Sequence, residues 1–182
     1  MHGLHLQGLP LSAKVFCTLF LAGIGCGALA AFAQASTAVG ISPQAVAASL
    51  APQMPMTGLR EHQMSAEKEI DLSQIRPAAK VWIETPLLVQ TSHTHLFGQT
   101  LIAGLLALIF AFSALGEPIK CAVGALPFAG TLIDIGGLWA TRFLSPSFAV
   151  LVIAGGSLFA LGYALIALLS VRELWFTKGP SA

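Results

Sequence analysis

The residues of this chain able to do chemistry within apolar surroundings are few. Two histidines lie in the string His93-Thr94-His95-Leu96-Phe97-Gly98-Gln99, and one carboxylate lies in Thr131-Leu132-Ile133-Asp134-Ile135-Gly136-Gly137. Imidazole ligates metals and haem iron, and a carboxylate held in lipid couples to protons or cations. Histidines at i and i+2 on a helix point about 200° apart, so both reach one ion only where the helix is frayed. On a regular helix His95 instead shares a face with Thr91 and Gln99. His93 and His95 are therefore candidate metal or haem ligands, and the plainer alternative is a pair of interfacial polar residues bonded to loop backbone.

Asp134 falls about 22 Å along a helix counted from Ile119, roughly 8 Å short of the far boundary of a 30 Å hydrocarbon core. A buried carboxylate there costs roughly several kcal/mol unless it is paired or protonated. Arg142 follows two turns later, and His95 opens the preceding apolar run at nearly the same depth. The expectation is one polar cluster of His95, Gln99, Asp134 and Arg142, structural or functional.

Other candidates are thinner. Met54, Met56, His62 and Met64 supply the thioether and imidazole ligands that suit copper(I), but their spacing matches no strict motif, and cap packing explains them as well. A haem with two axial ligands needs them on facing helices. Histidine is missing from the other three apolar runs and methionine from all four, so a haem would use His93, His95 or a loop ligand, most comfortably across a homodimer. No Ser/His/Asp order, HExxH, CxxC, Walker loop or GxGxxG is present, so no catalytic residue is assigned and the chain reads as non-enzymatic. Cys17, Cys26 and Cys121 fall in or beside apolar runs and read as small buried hydrophobes.

These residues must be positioned by helices in a bilayer. Of the 182 residues, 55% are hydrophobic and only 9% charged, against about 25% charged in soluble domains. The apolar content is concentrated in four runs: Val15 to Ala33, Leu96 to Leu115, Ile119 to Trp139 and Phe148 to Val171. Each is near the roughly 20 residues that cross a membrane, and helices satisfy their backbone internally where lipid cannot. The fold class is therefore all-α: a polytopic four-transmembrane-helix bundle carrying a helical polar loop. The net charge of +1, with no basic patch, excludes nucleic acid as a partner class.

Lys14, Lys120, Arg172 and Lys178 flank the runs on one side and Arg142 alone on the other, which predicts both termini in the cytoplasm of a bacterial-type inner membrane. Residues 1–34 are then a cytoplasmic N-terminus and first span, 35–94 a periplasmic loop, 95–171 a three-helix region and 172–182 a cytoplasmic tail. The first span has a second reading as a signal peptide cut within Ala31-Phe32-Ala33-Gln34-Ala35-Ser36. Its length and a Gly23/Gly27 pair suited to close helix packing favour a retained anchor.

In the loop, Ser42-Pro43 predicts a capped helix to about Leu50, Ser65 caps a second short helix, and Pro77 begins a third piece with Trp82 as an interfacial anchor. Thr85-Pro86 predicts another capped start, for a helix continuing to Gly116. Small-residue rows at Ala103, Ala107 and Ala111, at Ala125 and Ala129, and at Gly156, Ala160 and Ala164 are the expected packing seams, and Pro127 is expected to kink the third span.

The resulting expectation is a non-catalytic subunit or accessory factor of an envelope complex, respiratory or metal-handling, whose partners are the bilayer and other membrane subunits or further copies of itself. The alternative is a small transporter or ion- or proton-conducting protein using Asp134. A transporter needs a polar path right across, and the cytoplasmic halves of these runs are almost entirely apolar.

Overall fold

Apolar side chains in long uninterrupted runs leave the backbone one economical choice, and the computed structural model, which describes residues 5–51 and 83–177, shows helices there and no strand among the described residues. α1 spans Leu11–Ala38, α2 Pro43–Leu50, α3 Thr85–Ala111, α4 Glu117–Phe143 and α5 Ala149–Phe176. Short 3-10 turns precede α1, at Leu6–Gly8, and α5, at Pro146–Phe148. The four long helices have 27 or 28 residues, or roughly 40 Å each, enough to cross a 30 Å core with a turn or two to spare. This is a multi-pass membrane protein with four apolar helices.

The helix starts follow local chemistry, with one correction. Ser42 caps α2 as expected, its hydroxyl accepting from Ala45 N at 3.1 Å with Pro43 at the first helical position. At α3, however, Glu84 holds the cap position in extended conformation and Thr85 is already helical. The Thr85 hydroxyl is thereby free to meet Arg142. α3 also stops at Ala111 instead of continuing to Gly116. The turn that would continue it is taken up by outside partners, because Phe112 O accepts from Leu6 N at 2.9 Å and Ala114 N donates to the Glu173 carboxylate.

α4 and α5 form the centre, and their seam is made of glycine. A Cβ on Gly130 would stand 2.5 Å from Phe159 N, one on Gly137 2.8 Å from Val152 N, and one on Gly162 2.7 Å from the Pro127 ring, while one on Gly155 would collide with Asp134 N. Gly130/Gly137 and Gly155/Gly162 each repeat after seven residues, so two rows without side chains face each other and let the backbones touch. The expected seam is thus displaced. Gly156 meets nothing within 4 Å and Ala160 and Ala125 are exposed, because a shift of one residue turns a helix by about 100°. The α3 row fares better: Ala103 is fully buried and Ala107 lies 3.8 Å from the position of a Cβ on Gly124.

α1 lies against α5 at a few points. Leu21 is its one buried residue, packed with Leu106, Phe110 and Ile166. A Cβ on Gly23 or Gly27 would meet nothing within 4 Å among the described residues, and it is at Gly25 that one would collide with the Tyr163 hydroxyl. α2 lies as a short cap across the opposite end, where Val46 and Leu50 join Leu88, Ile135, Leu138 and Ala149 in a second apolar cluster. Ile83 N donates to Ser49 O and so ties the start of α3 to this cap.

Candidate functional sites at the two ends of the bundle

The α2 end is held by side chains that an apolar span would otherwise exclude. Trp139, near the end of α4, donates its indole N–H to Ser92 Oγ at 2.8 Å, and Ser92 donates in turn to Leu88 O. Arg142 donates to Leu50 O at 2.6 Å and to Thr85 Oγ1 at 3.5 Å. Its guanidinium thereby stitches α4 to the last carbonyl of α2 and the first turn of α3, a favourable use of a cation at a helix C-terminus. The Trp139 ring stacks on Phe143 with centroids 5.5 Å apart.

The register of α3 against α4 follows from two contacts. Gly124 faces Ala107, and fifteen residues later Trp139 reaches Ser92, fifteen residues before Ala107. Asp134, five residues before Trp139, is thus level with Phe97, five after Ser92. His95 and Gln99 flank that level, each offset by about 3 Å. Asp134 also lies within the arc of α4 whose neighbours Pro127, Gly130, Thr131, Gly137 and Leu138 are buried, and its backbone is pressed against Gly155. Gln99 lies on the α3 stripe of Ser92, Ala103, Leu106 and Phe110, with its Oε1 buried and without a hydrogen-bond partner among the described residues.

His95 is exposed on α3, and His93 is also exposed, its ring 4.9 Å from that of Phe97. Among the described residues no hydrogen bond or ion pair joins His95, Asp134 and Arg142, and no three His, Cys, Asp or Glu residues group as metal ligands. Met54, Met56, His62 and Met64, with the helices expected after Ser65 and Pro77 and the Trp82 anchor, lie outside the described residues. Cys17 is half-buried, whereas Cys26 and Cys121 are exposed on their helices, so the expectation that all three are buried fails at two. Both stand on outward faces, where a small apolar side chain costs nothing in lipid.

The opposite end holds polar groups that the pattern of apolar runs hid. Glu173 is only 7% exposed, and both of its carboxylate oxygens accept from Ala114 N, at 2.8 and 2.9 Å. Ending the fourth run at Val171 leaves Glu173 outside it, but α5 continues to Phe176 and carries the carboxylate under the α3–α4 turn. Ser113 and Ser170 are buried with hydroxyls that lack partners among the described residues, as does His5 Nδ1. Lys120 pairs with Glu117 and donates to Ala111 O, closing the end of α3. Tyr163 donates to Leu21 O at 2.7 Å, and Trp175 donates to Thr18 Oγ1 at 3.0 Å. One sequence signal pointed this way: the chain's single tyrosine lies in an apolar run, where a phenolic O–H needs an acceptor.

A family model described as a transmembrane helical domain, Aq_1264_TM, matches residues 83–181, more than half of the chain. The chain belongs to this family. The Aq_1264_TM match takes in α3, α4 and α5 whole, and therefore the glycine seam, Asp134, Arg142 and Glu173, while α1 and α2 fall before it. No curated protein and no solved structure matches the chain.

Proposed function

We propose that this member of the Aq_1264_TM family is a non-catalytic integral subunit or accessory factor of a bacterial envelope complex, set in the inner membrane with both termini cytoplasmic. The observation that carries this reading is the closed α4–α5 seam: glycine rows bring the two backbones together from Pro127 and Gly162 to Gly137 and Val152. The α5 side of the helix that bears Asp134 thus has no room for a hydrated path, which removes one of the routes that conduction through one copy could use. Assembly with other membrane subunits draws on the outward faces, where Phe16, Leu19, Leu29 and Phe32 of α1 and Phe97, Leu101 and Leu108 of α3 are exposed.

The second reading, a small proton- or cation-conducting protein, rests on Asp134 and on the Gln99 oxygen near its level, which has no hydrogen-bond partner among the described residues. In that reading His95, Gln99, Asp134 and Arg142 act as one polar cluster through a shared ion or water, and in a respiratory or metal-handling complex His93 and His95 would be the haem or metal ligands.

Purification in mild detergent separates the two readings. A subunit retains stoichiometric membrane partners, with any haem or copper following them in the absorption spectrum and metal analysis. Proton or cation flux from the isolated chain in liposomes would overturn the subunit reading. A reporter fused after Ala182 that is active on the periplasmic side would overturn the orientation.

A further inference from the structure

At the α3–α4 turn a cavity of about 150 Å³ is lined by Gln7, Leu115, Leu169, Arg172, Glu173 and Thr177. By volume it has room for about five waters. It sits at headgroup depth, where α5 leaves its apolar run: Arg172 follows Val171 directly, Lys120 lies at the start of the neighbouring helix, and Trp175 is 43% exposed, in the manner of an interfacial anchor.

Its charges are of both signs. Glu173 spends two of its roughly four acceptor sites on the single Ala114 N–H, which leaves acceptor capacity for further donors. Arg172 is exposed and makes no ion pair among the described residues, although a carboxylate is its chain neighbour. The pair is thus held apart, anion inside and cation at the mouth, with the apolar walls of Leu115 and Leu169 beside them.

We infer that this cavity is a binding site for a zwitterionic phospholipid headgroup bearing a primary ammonium. The ammonium enters to donate to the Glu173 carboxylate, the phosphate rests against Arg172 with Gln7 alongside, and the acyl chains descend past Leu115 and Leu169. A purely anionic headgroup would place its charge near Glu173, and a trimethylated one has no N–H to donate, so the site discriminates on both sides.

The test uses the full chain reconstituted in vesicles and reads lipid retention by native mass spectrometry after extraction. Phosphatidylethanolamine should be retained about tenfold better than phosphatidylcholine, the scale of one charge-assisted hydrogen bond, and better than phosphatidylglycerol. Glu173→Gln keeps an acceptor for Ala114 N and should erase the preference over phosphatidylcholine. Arg172→Gln should weaken retention of both lipids and keep their order. Equal retention of phosphatidylethanolamine and phosphatidylcholine by the unaltered protein would overturn the inference, as would stronger retention of phosphatidylglycerol. Where Glu173→Gln fails to fold, Arg172→Gln at an exposed position still reads the site, because undiminished retention of both lipids by that variant would also overturn the inference.

Discussion

α5 makes two very different contacts along its length. Towards α4 it presents glycines whose hydrogens leave no room for a carbon atom, so backbone packs on backbone. Towards α1 it presents Tyr163 and Trp175, whose polar tips reach Leu21 O and Thr18 Oγ1 while Leu21 alone is buried. Between lipid-facing helices no hydrophobic force drives association, so each contact needs its own source of attraction. The α4 contact draws on dense van der Waals packing over many atoms. The α1 contact draws on a few hydrogen bonds, each worth only about 0.5–1.5 kcal/mol net. The first tolerates no added atom, and the second should yield to the loss of one.

The most damaging change should be Gly155→Leu, because the backbone of Asp134 occupies the space its side chain needs. Overpacking costs of about 1–3 kcal/mol arise where neighbours adjust, and here the neighbour is a helix backbone. Loss of a monodisperse peak on size exclusion is expected, while Gly156→Leu, one residue away and in open space, should leave the peak intact. Equal behaviour of the two variants would break the seam argument.

Next in size comes the α2 end. Arg142→Met removes a charged donor from Leu50 O and Thr85, a loss of about 1.5–3 kcal/mol, and Trp139→Phe removes the indole bond to Ser92 for about 1 kcal/mol. Thermal melting in detergent should rank these two variants in that order, below Gly155→Leu in damage.

Tyr163→Phe should cost about 1 kcal/mol and act on α1 alone. With Cys17 and Cys121 replaced by Ser, a spin label at Cys26 should gain mobility while melting of the α3–α5 unit changes little. An unchanged spectrum would show that the Trp175–Thr18 bond, Leu21 and the segment around Leu6 suffice to hold α1.

The smallest effect is expected from Gly23→Leu and Gly27→Leu, since a Cβ at either position meets nothing within 4 Å among the described residues. Melting of the isolated protein should move by no more than about 0.5 kcal/mol equivalent. A variant that keeps this stability and loses a co-purifying partner would assign that face of α1 to assembly.

The apolar runs by themselves determined that the chain crosses a membrane four times as helices, because a stretch of about 20 apolar residues in lipid has no other way to satisfy its backbone. The Ser42-Pro43 start of α2 was equally legible, since a cap is settled by neighbours three residues away. Gln99 and Asp134 could be singled out for the same reason, a polar group in an apolar run being visible in one dimension.

Which small residues pack was decided only in three dimensions. Gly155 and Gly156 are identical in type, yet one residue of rotation sends one into the seam and its neighbour away from it. The same holds for Glu173, whose place at the end of a helix marks it as a surface charge until the turn at Ala114, 59 residues earlier, closes over it. Arg142, 92 residues from its acceptor on Leu50, carries no local sign of that bond. Hydropathy fixes how deep a residue sits along the membrane normal, but the rotation of each helix about its axis depends on side chains from the others, and it is that rotation which makes a site.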